Sequence, residues 1–260
     1  MNIVFIPNID ANDGRNKPYY LSIESWKHWA AKHDDIQVIE WTDPIMDPKE
    51  MKITLQRYWV FDILRHNNID FDQVLLVDAD TIVHPDCPNF FLETENKFCG
   101  VLNTGCFEWM LRSISEWGTA LFSDQPAIKV WKYLNGGFLI FNKTHDEILK
   151  KIQNFYLENL NNINILTHKI KAGTDQTIIN YLLQQYDVDV KILPECYNLQ
   201  SMFYKHLLHL PGQSWWPDDL IYLDAGWVYH FNAIPQNPRD DLYWMERTYN
   251  KLYKENKNGY

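Results

Sequence analysis

The chain has 260 residues, 46% of them hydrophobic and 22% charged, the make-up of an ordinary folded protein rather than a disordered one. Its formal net charge of −10, from 34 Asp and Glu against 24 Lys and Arg, argues against a broad electrostatic grip on nucleic acid. A phosphate-bearing ligand would therefore need a local source of positive field.

The opening "MNIVFIPNID" has neither the charged start nor the long apolar run of a signal peptide, and residues 3–7 read as the first buried strand of an α/β sheet. Residues 19–33 place Leu21, Trp26, Trp29 and Ala30 at helical spacing, and "IQVIEW" (36–41) is a second strand. A longer amphipathic helix is predicted over 50–66, with Leu55, Trp59, Ile63 and His66 near one stripe. "FDQVLLVDAD" (71–80), "KFCGVLN" (97–103) and "LNGGFLIFN" (134–142) are further strands. Helices are predicted over 145–160 and 174–185, and strands over 188–194 and 221–231 close the sheet. A terminal helix spans 240–255, and 201–220 reads as an ordered surface loop. This alternation predicts one α/β domain over 1–260, with a mixed, mostly parallel, Rossmann-like sheet flanked by helices.

Cys87, Cys99, Cys106 and Cys196 lack CxxC spacing, so a zinc site or redox pair is not expected, and scattered thiols fit a reducing, cytoplasmic compartment. No stretch has the apolar length of a membrane span. Aromatics reach 15%; most must pack the core, although aromatic loops also stack on sugar rings.

The sharpest local feature is "VLLVDADTIV" (74–83), an apolar strand running into two aspartates. In an open α/β sheet, ligands sit beyond the carboxyl ends of the strands. Residues two apart on extended chain point to one side, so Asp78 and Asp80 can converge. Converging carboxylates repel unless a cation lies between them or one takes a proton, and hard divalent cations favour such oxygen ligands. A solvated strand end is the bland alternative.

Two enzyme classes share this local pattern. In haloacid-dehalogenase-like phosphatases an apolar strand followed by Asp-x-Asp-x-Thr carries the nucleophile, and "VDADTIV" fits that template. That motif normally follows the first strand of its sheet, however, whereas here two strands precede it. The later acidic signature of that class is matched poorly by "GTDQT" and "PDD". The other class is the GT-A-fold glycosyltransferases, and the chain resembles their family 8 in several places in order. "YLNGGFLIFN" is similar to that family's "fNsGvmvfn" strand, "DQTIIN" (175–180) to its "DQdxlN" helix start, "LPECYNLQ" (193–200) to its "Lp..yNvq", and "YHFNA" (229–233) to its "iHf.G".

The resemblance implies a GT-A fold and transfer of a sugar from a nucleoside diphosphate, UDP by family habit, to an acceptor hydroxyl with retention of configuration. It implies that Asp78 and Asp80 hold a divalent cation with His230 as third ligand, and that Asp78 also touches the ribose. An Asp/Asp/His set suits Mn²⁺, with Mg²⁺ as the alternative. Asn135 and Gly137 would approach the donor sugar, although the Gly136–Gly137 pair could instead mark a bulge. Asp175 and Gln176 would face the sugar near the reacting carbon; Asp175 could equally be a first-turn carboxylate, and if it served as a base the outcome would be inversion. Asn8 and Asp10 are candidates for base or ribose, and Asn103 stands where the family has an acidic sugar contact. Arg57 would reach the sugar or diphosphate. The family's Lys-Pro-Trp is absent from "HFNAIPQNPRDD", where Arg239 would substitute for the lysine as a phosphate donor. Trp215 and Trp216 form either an acceptor platform or a small apolar cluster. A nucleotide-sugar or glycan-binding protein without turnover is the non-enzyme alternative.

Overall fold

The computed structural model describes residues 1–11, 13–200, 220–232, 234 and 241–255. Strand β1 (Asn2–Pro7) is followed by helix α1 (Tyr19–Ala30), β2 (Ile36–Trp41), α2 (Ile53–Gln56), α3 (Val60–His66), β3 (Gln73–Val77) and β4 (Thr81–Val83). Then come β5 (Phe98–Leu102), α4 (Phe107–Leu121), β6 (Leu134–Asn142), α5 (Asp146–Ile170), α6 (Thr174–Gln185), β7 (Val190–Leu193), β8 (Val228–His230) and α7 (Asp241–Tyr249).

The main sheet has the order β2-β1-β3-β6-β5-β7, and only β6 runs against its neighbours. The mixed, mostly parallel sheet expected from the sequence is therefore the one observed. Its direction pattern has a direct consequence. The carboxyl ends of β1, β3, β5 and β7 share one edge with the amino end of β6, so segments far apart in sequence converge there.

Except at the start of β6, where the β5–β6 register shifts, the strands alternate between two cores, as period-2 side-chain geometry requires. Ile3, Phe5, Val74, Leu76, Phe98, Leu139 and Phe141 face a core covered by residues of α3, α4, α5 and α6. Val4, Ile6, Leu75, Val77, Cys99, Phe138 and Ile140 face a second core covered by Trp26 and Trp29 of α1. A third cluster joins Ile82, Tyr229 and Phe231 to Trp244, Met245 and Tyr253 near the C-terminus. All four cysteines are free, and burial pushes the Cys99 thiol up to about 12.

Several expectations need correction. The helix predicted over 50–66 is broken by a 3₁₀ turn at Arg57–Trp59, and its buried face is Leu55, Tyr58, Phe61 and Leu64, while His66 is exposed. The tighter turn shifts the helical phase and carries Arg57 inward. Helix α4 occupies a stretch to which periodicity assigns no element. Its buried stripe is Met110, Ser113, Ile114, Trp117 and Gly118, in which a serine and a glycine interrupt the apolar signal. Helix α5 runs ten residues past its predicted end, to Ile170.

The strand predicted over 221–231 shrinks to β8, preceded by a 3₁₀ turn at Ile221–Asp224, and it does not close the main sheet. It pairs instead with β4 in a separate two-stranded sheet, in the register Thr81↔His230. The terminal helix is α7, which continues as a π-helical turn over Asn250–Lys254. Among the described residues no helix is long and apolar enough to cross a membrane.

Candidate metal centre

Asp78 leaves β3 with its backbone N–H bonded to the Gly137 carbonyl at 3.1 Å. The next residues form a turn rather than extended chain, with Ala79 buried and the Thr81 hydroxyl donating to the Asp78 carbonyl at 2.8 Å. Convergence of the two aspartates is thus the work of this turn, not of strand alternation. The β4–β8 pairing delivers the third group: the Phe231 N–H donates to the Asp80 carbonyl at 2.8 Å, one residue from His230.

His230 is 1% exposed. Its Nε2 lies 3.2 Å from Asp80 Oδ1 and 3.6 Å from Asp78 Oδ2. One ligating atom from each of the three residues falls within 4.8 Å of the others. Nδ1 of the ring sits 3.0 Å from Asn198 Oδ1, whereas the buried Nε2 has no hydrogen-bond partner. Burial raises the Asp78 carboxyl above its ordinary range, with Arg57 opposing and the Asp80 charge adding to the rise. Two hard oxygen donors facing a buried, unpartnered imidazole nitrogen fit a divalent cation.

Arg57 lies behind the cluster and is 4% exposed. Its Nη1 bonds Asp78 Oδ1, and its Nη2 bonds Asp175 Oδ2 at 2.5 Å. Burial opposes its charge, but Asp175 and Asp78 more than offset this and hold the guanidinium protonated. Asp175, in the first turn of α6, also accepts from the Tyr58 hydroxyl at 3.2 Å. One arginine thus ties the carboxyl end of β3 to the start of α6.

Gln176 and the start of β6 are similarly tied. Gln176 Oε1 accepts from the Gly136 N–H at 2.9 Å, and its Nε2 donates to Asn103 Oδ1 at 3.2 Å. Asn103 also accepts from Asn135 Nδ2 at 3.2 Å. A Cβ added to Gly137 would lie 2.4 Å from His230 Cε1 and 2.6 Å from Asp78 Oδ2, so this glycine lets the putting-together of those two side chains occur at all. At Gly136 the same atom would meet Arg57 Nη2 at 2.8 Å.

A cavity of about 250 Å³ opens beside the cluster, lined among others by Arg57, Asp78, Asp80, Tyr19 and Arg15. Burial, then the charges of Asp80 and Asp78, push the Tyr19 phenol up, so it stays neutral there. Pro7, Ile9 and Ala11 also line it, alternating with Asn8 and Asp10. The Asn8 side chain donates to Glu40 at 2.6 Å and accepts from Asn16 at 2.6 Å, and Asp10 is exposed. A cavity of about 300 Å³ between residues 125–134 and the end of α6 contains none of the candidate site residues. Arg239, Trp215 and Trp216 lie outside the described residues.

Asp78, Asp80, His230, Arg57, Asp175, Gln176, Asn135, Asn103 and Gly137 are therefore brought to one edge of the sheet. Sequence reasoning missed the contributions of Tyr19, Tyr58, Asn198 and Gln200. For the last two the "YNLQ" motif was a usable signal, since both amides are buried, Asn198 fully and Gln200 at 1% exposure.

No protein-family model matches the chain, and no curated protein matches it in sequence. Solved structures are similar to it in fold. A glycosyltransferase involved in glycosylation of the major capsid of PBCV-1 superposes with a TM-score of 0.59 at 12% identity, covering 95% of this chain and 100% of that one. The galactosyltransferase LgtC, solved with donor and acceptor sugar analogues, gives 0.46 at 15% identity over 97% of this chain and 95% of that one. Mouse xyloside xylosyltransferase 1 gives 0.48 at 10% identity over 90% and 99%. The first of these supports the GT-A-type architecture expected from the sequence.

Proposed function

We propose that the chain is a metal-dependent glycosyltransferase that moves a sugar from a nucleoside-diphosphate sugar, with UDP as the favoured nucleotide, to an acceptor hydroxyl. The observation that carries this reading is the meeting of Asp78, Asp80 and His230, from two distant segments, beside a cavity at the carboxyl edge of a GT-A-type sheet. Asp78, Asp80 and His230 would hold the cation, Mn²⁺ by the imidazole in the set and Mg²⁺ as the alternative. When bound, such a cation neutralises the negative charge that builds on the departing diphosphate.

The remaining residues orient the donor. Gln176 and Asn103 present amide groups toward the same edge, Asn135 supports Asn103 from the buried side, and Arg57 keeps Asp78 and Asp175 in fixed positions. Asp175 Oδ2 already accepts from two donors, an arrangement that suits an orienting carboxylate better than a general base and so favours retention over inversion. The ion pair of Asp78 with Arg57 likewise disfavours the phosphatase reading, in which Asp78 would have to be a free nucleophile. Asn8 and Asp10 flank the cavity and are assigned to the base or ribose. Arg239 is assigned to the diphosphate, and Trp215 with Trp216 to a carbohydrate acceptor, on sequence grounds. The four free cysteines fit a cytoplasmic setting.

A thermal-shift screen of nucleotide sugars with and without Mn²⁺ tests this reading. A ligand at 100 times its Kd stabilises by about 2.7 kcal/mol, which for a chain of this size raises Tm by roughly 5–10 °C. The expected result is such a rise with a UDP-sugar and Mn²⁺ together, lost on adding chelator, and slow release of UDP. Phosphate release from an aryl phosphate would favour the phosphatase. Mn²⁺-dependent binding with no UDP release from any donor would favour a binding protein.

A further inference from the structure

We infer that Asn198 is the positioning residue for the His230 imidazole, and that two backbone groups dictate, through a relay of buried amides, which ring nitrogen is left free for a cation. The inference rests on the cation-binding reading of Asp78, Asp80 and His230.

An amide side chain can point its oxygen or its nitrogen at a neighbour, so its orientation must be fixed by a partner of known polarity. Backbone groups supply that polarity. The Gly137 N–H can only donate, and it faces Asn135 at 2.8 Å, so the Asn135 atom it meets is Oδ1. That oxygen also receives Asn198 Nδ2 at 3.0 Å. The other Asn198 atom is then Oδ1, which can only accept, and it lies 3.0 Å from His230 Nδ1. The ring proton is therefore on Nδ1.

The opposite end of the relay gives the same direction independently. The Leu102 carbonyl can only accept, so Gln200 turns Nε2 toward it at 2.7 Å. Gln200 Oε1 then accepts Asn135 Nδ2 at 2.9 Å, again leaving Asn135 Oδ1 for Gly137 and Asn198. Asn135, Asn198, Gln200 and His230 are all at most 2% exposed, so water offers no alternative partners that would reverse the chain. Flipping Asn198 alone would set its oxygen against Asn135 Oδ1, two acceptors with no proton between them. With Nδ1 protonated, Nε2 of the neutral ring presents a lone pair toward Asp80 and Asp78. A lone pair aimed at two carboxylates is unfavourable by itself and favourable around a cation. Asn198 reaches no part of the cavity lining, and acts through the histidine.

The test is a double-mutant cycle on the full chain, with Mn²⁺ alone as the titrant in calorimetry. Asn198→Ala is expected to weaken Mn²⁺ binding by roughly 10–100-fold, the usual effect of losing the partner of a ligating histidine. In the His230→Ala background the same substitution is expected to change the residual affinity by less than about twofold, because its route to the ion is gone. Equal losses in both backgrounds, or no loss in the first, would overturn the assignment. A measurement on the unsubstituted protein keeps the test independent of how the variants fold. In the Zn²⁺-loaded chain, ¹⁵N spectra should show His230 protonated on Nδ1 with metal on Nε2, and metal on Nδ1 would overturn it. Should the unsubstituted protein bind no Mn²⁺, the cation site and this assignment fall together. Tight binding that is insensitive to Asn198→Ala removes only the positioning role.

Discussion

Replacing Arg57 with alanine is expected to destabilise the fold by about 3–5 kcal/mol, the usual cost of removing one partner from a buried ion pair. The guanidinium bonds Asp78 with one nitrogen and Asp175 with the other, and its side chain is only 5% exposed. Without it, Asp175, at 10% exposure, and Asp78, at 33% on the cavity wall, lose the cation that bridges them. The Tyr58 hydroxyl, the only other side-chain donor to Asp175 among the described hydrogen bonds, is neutral and cannot supply the missing charge. Urea unfolding should therefore show a lower midpoint with an unchanged slope, and Tm should fall on the order of 10 °C. Arg57→Lys should recover only part of the loss, because an ammonium carries the charge but not the planar fork that spans two acids. Full stability in Arg57→Ala would mean that the two aspartates are solvated or protonated in solution.

Gly137→Ala is expected to lower Mn²⁺ affinity on the order of 100-fold, at the upper end of what supporting residues around a metal contribute. The added carbon would come within 2.4 Å of His230 Cε1 and 2.6 Å of Asp78 Oδ2, both attached to side chains with little freedom to retreat. His230 is held by β8 pairing and by Asn198, and Asp78 by Arg57. Overpacking of this kind typically costs 1–3 kcal/mol, roughly a 2–12 °C fall in Tm at this chain size. The combination distinguishes a built cation site from an incidental cluster of acids. An alanine variant that binds Mn²⁺ as tightly as the parent would show that the three groups are not confined.

The legibility of this molecule in its sequence follows the range of the interactions involved. Strands β1, β3 and β6 stood out because continuous apolar runs are what a strand buried on both faces requires, and α6 because a Gly precedes a first-turn acid. Gly173 there adopts φ +64°, a left-handed value that suits glycine. Helix α4 was hidden because Ser113 and Gly118 occupy its buried stripe; a Cβ on Gly118 would lie 2.2 Å from the Tyr181 hydroxyl, a constraint set by a helix far along the chain. Asp78 and Asp80 were legible as a pair because they stand two residues apart, although a turn and not the expected extended chain brings them together. His230 was legible only through motif order, because its place depends on β4–β8 pairing across about 150 residues of sequence. The Arg57 bridge to Asp175 was not legible at all: it spans 118 residues and arises from a phase shift in a helix that periodicity reads as continuous.

On the reading proposed above, Asp78, Asp80 and His230 form one divalent-cation site. Anomalous diffraction from a crystal of the full chain soaked with Mn²⁺ measures this most directly. A single strong peak within bonding distance of a carboxylate oxygen of each aspartate and of His230 Nε2 is the predicted result. A crystal saturated with Mn²⁺ that shows no peak between these three side chains, or one held by other residues, would contradict it.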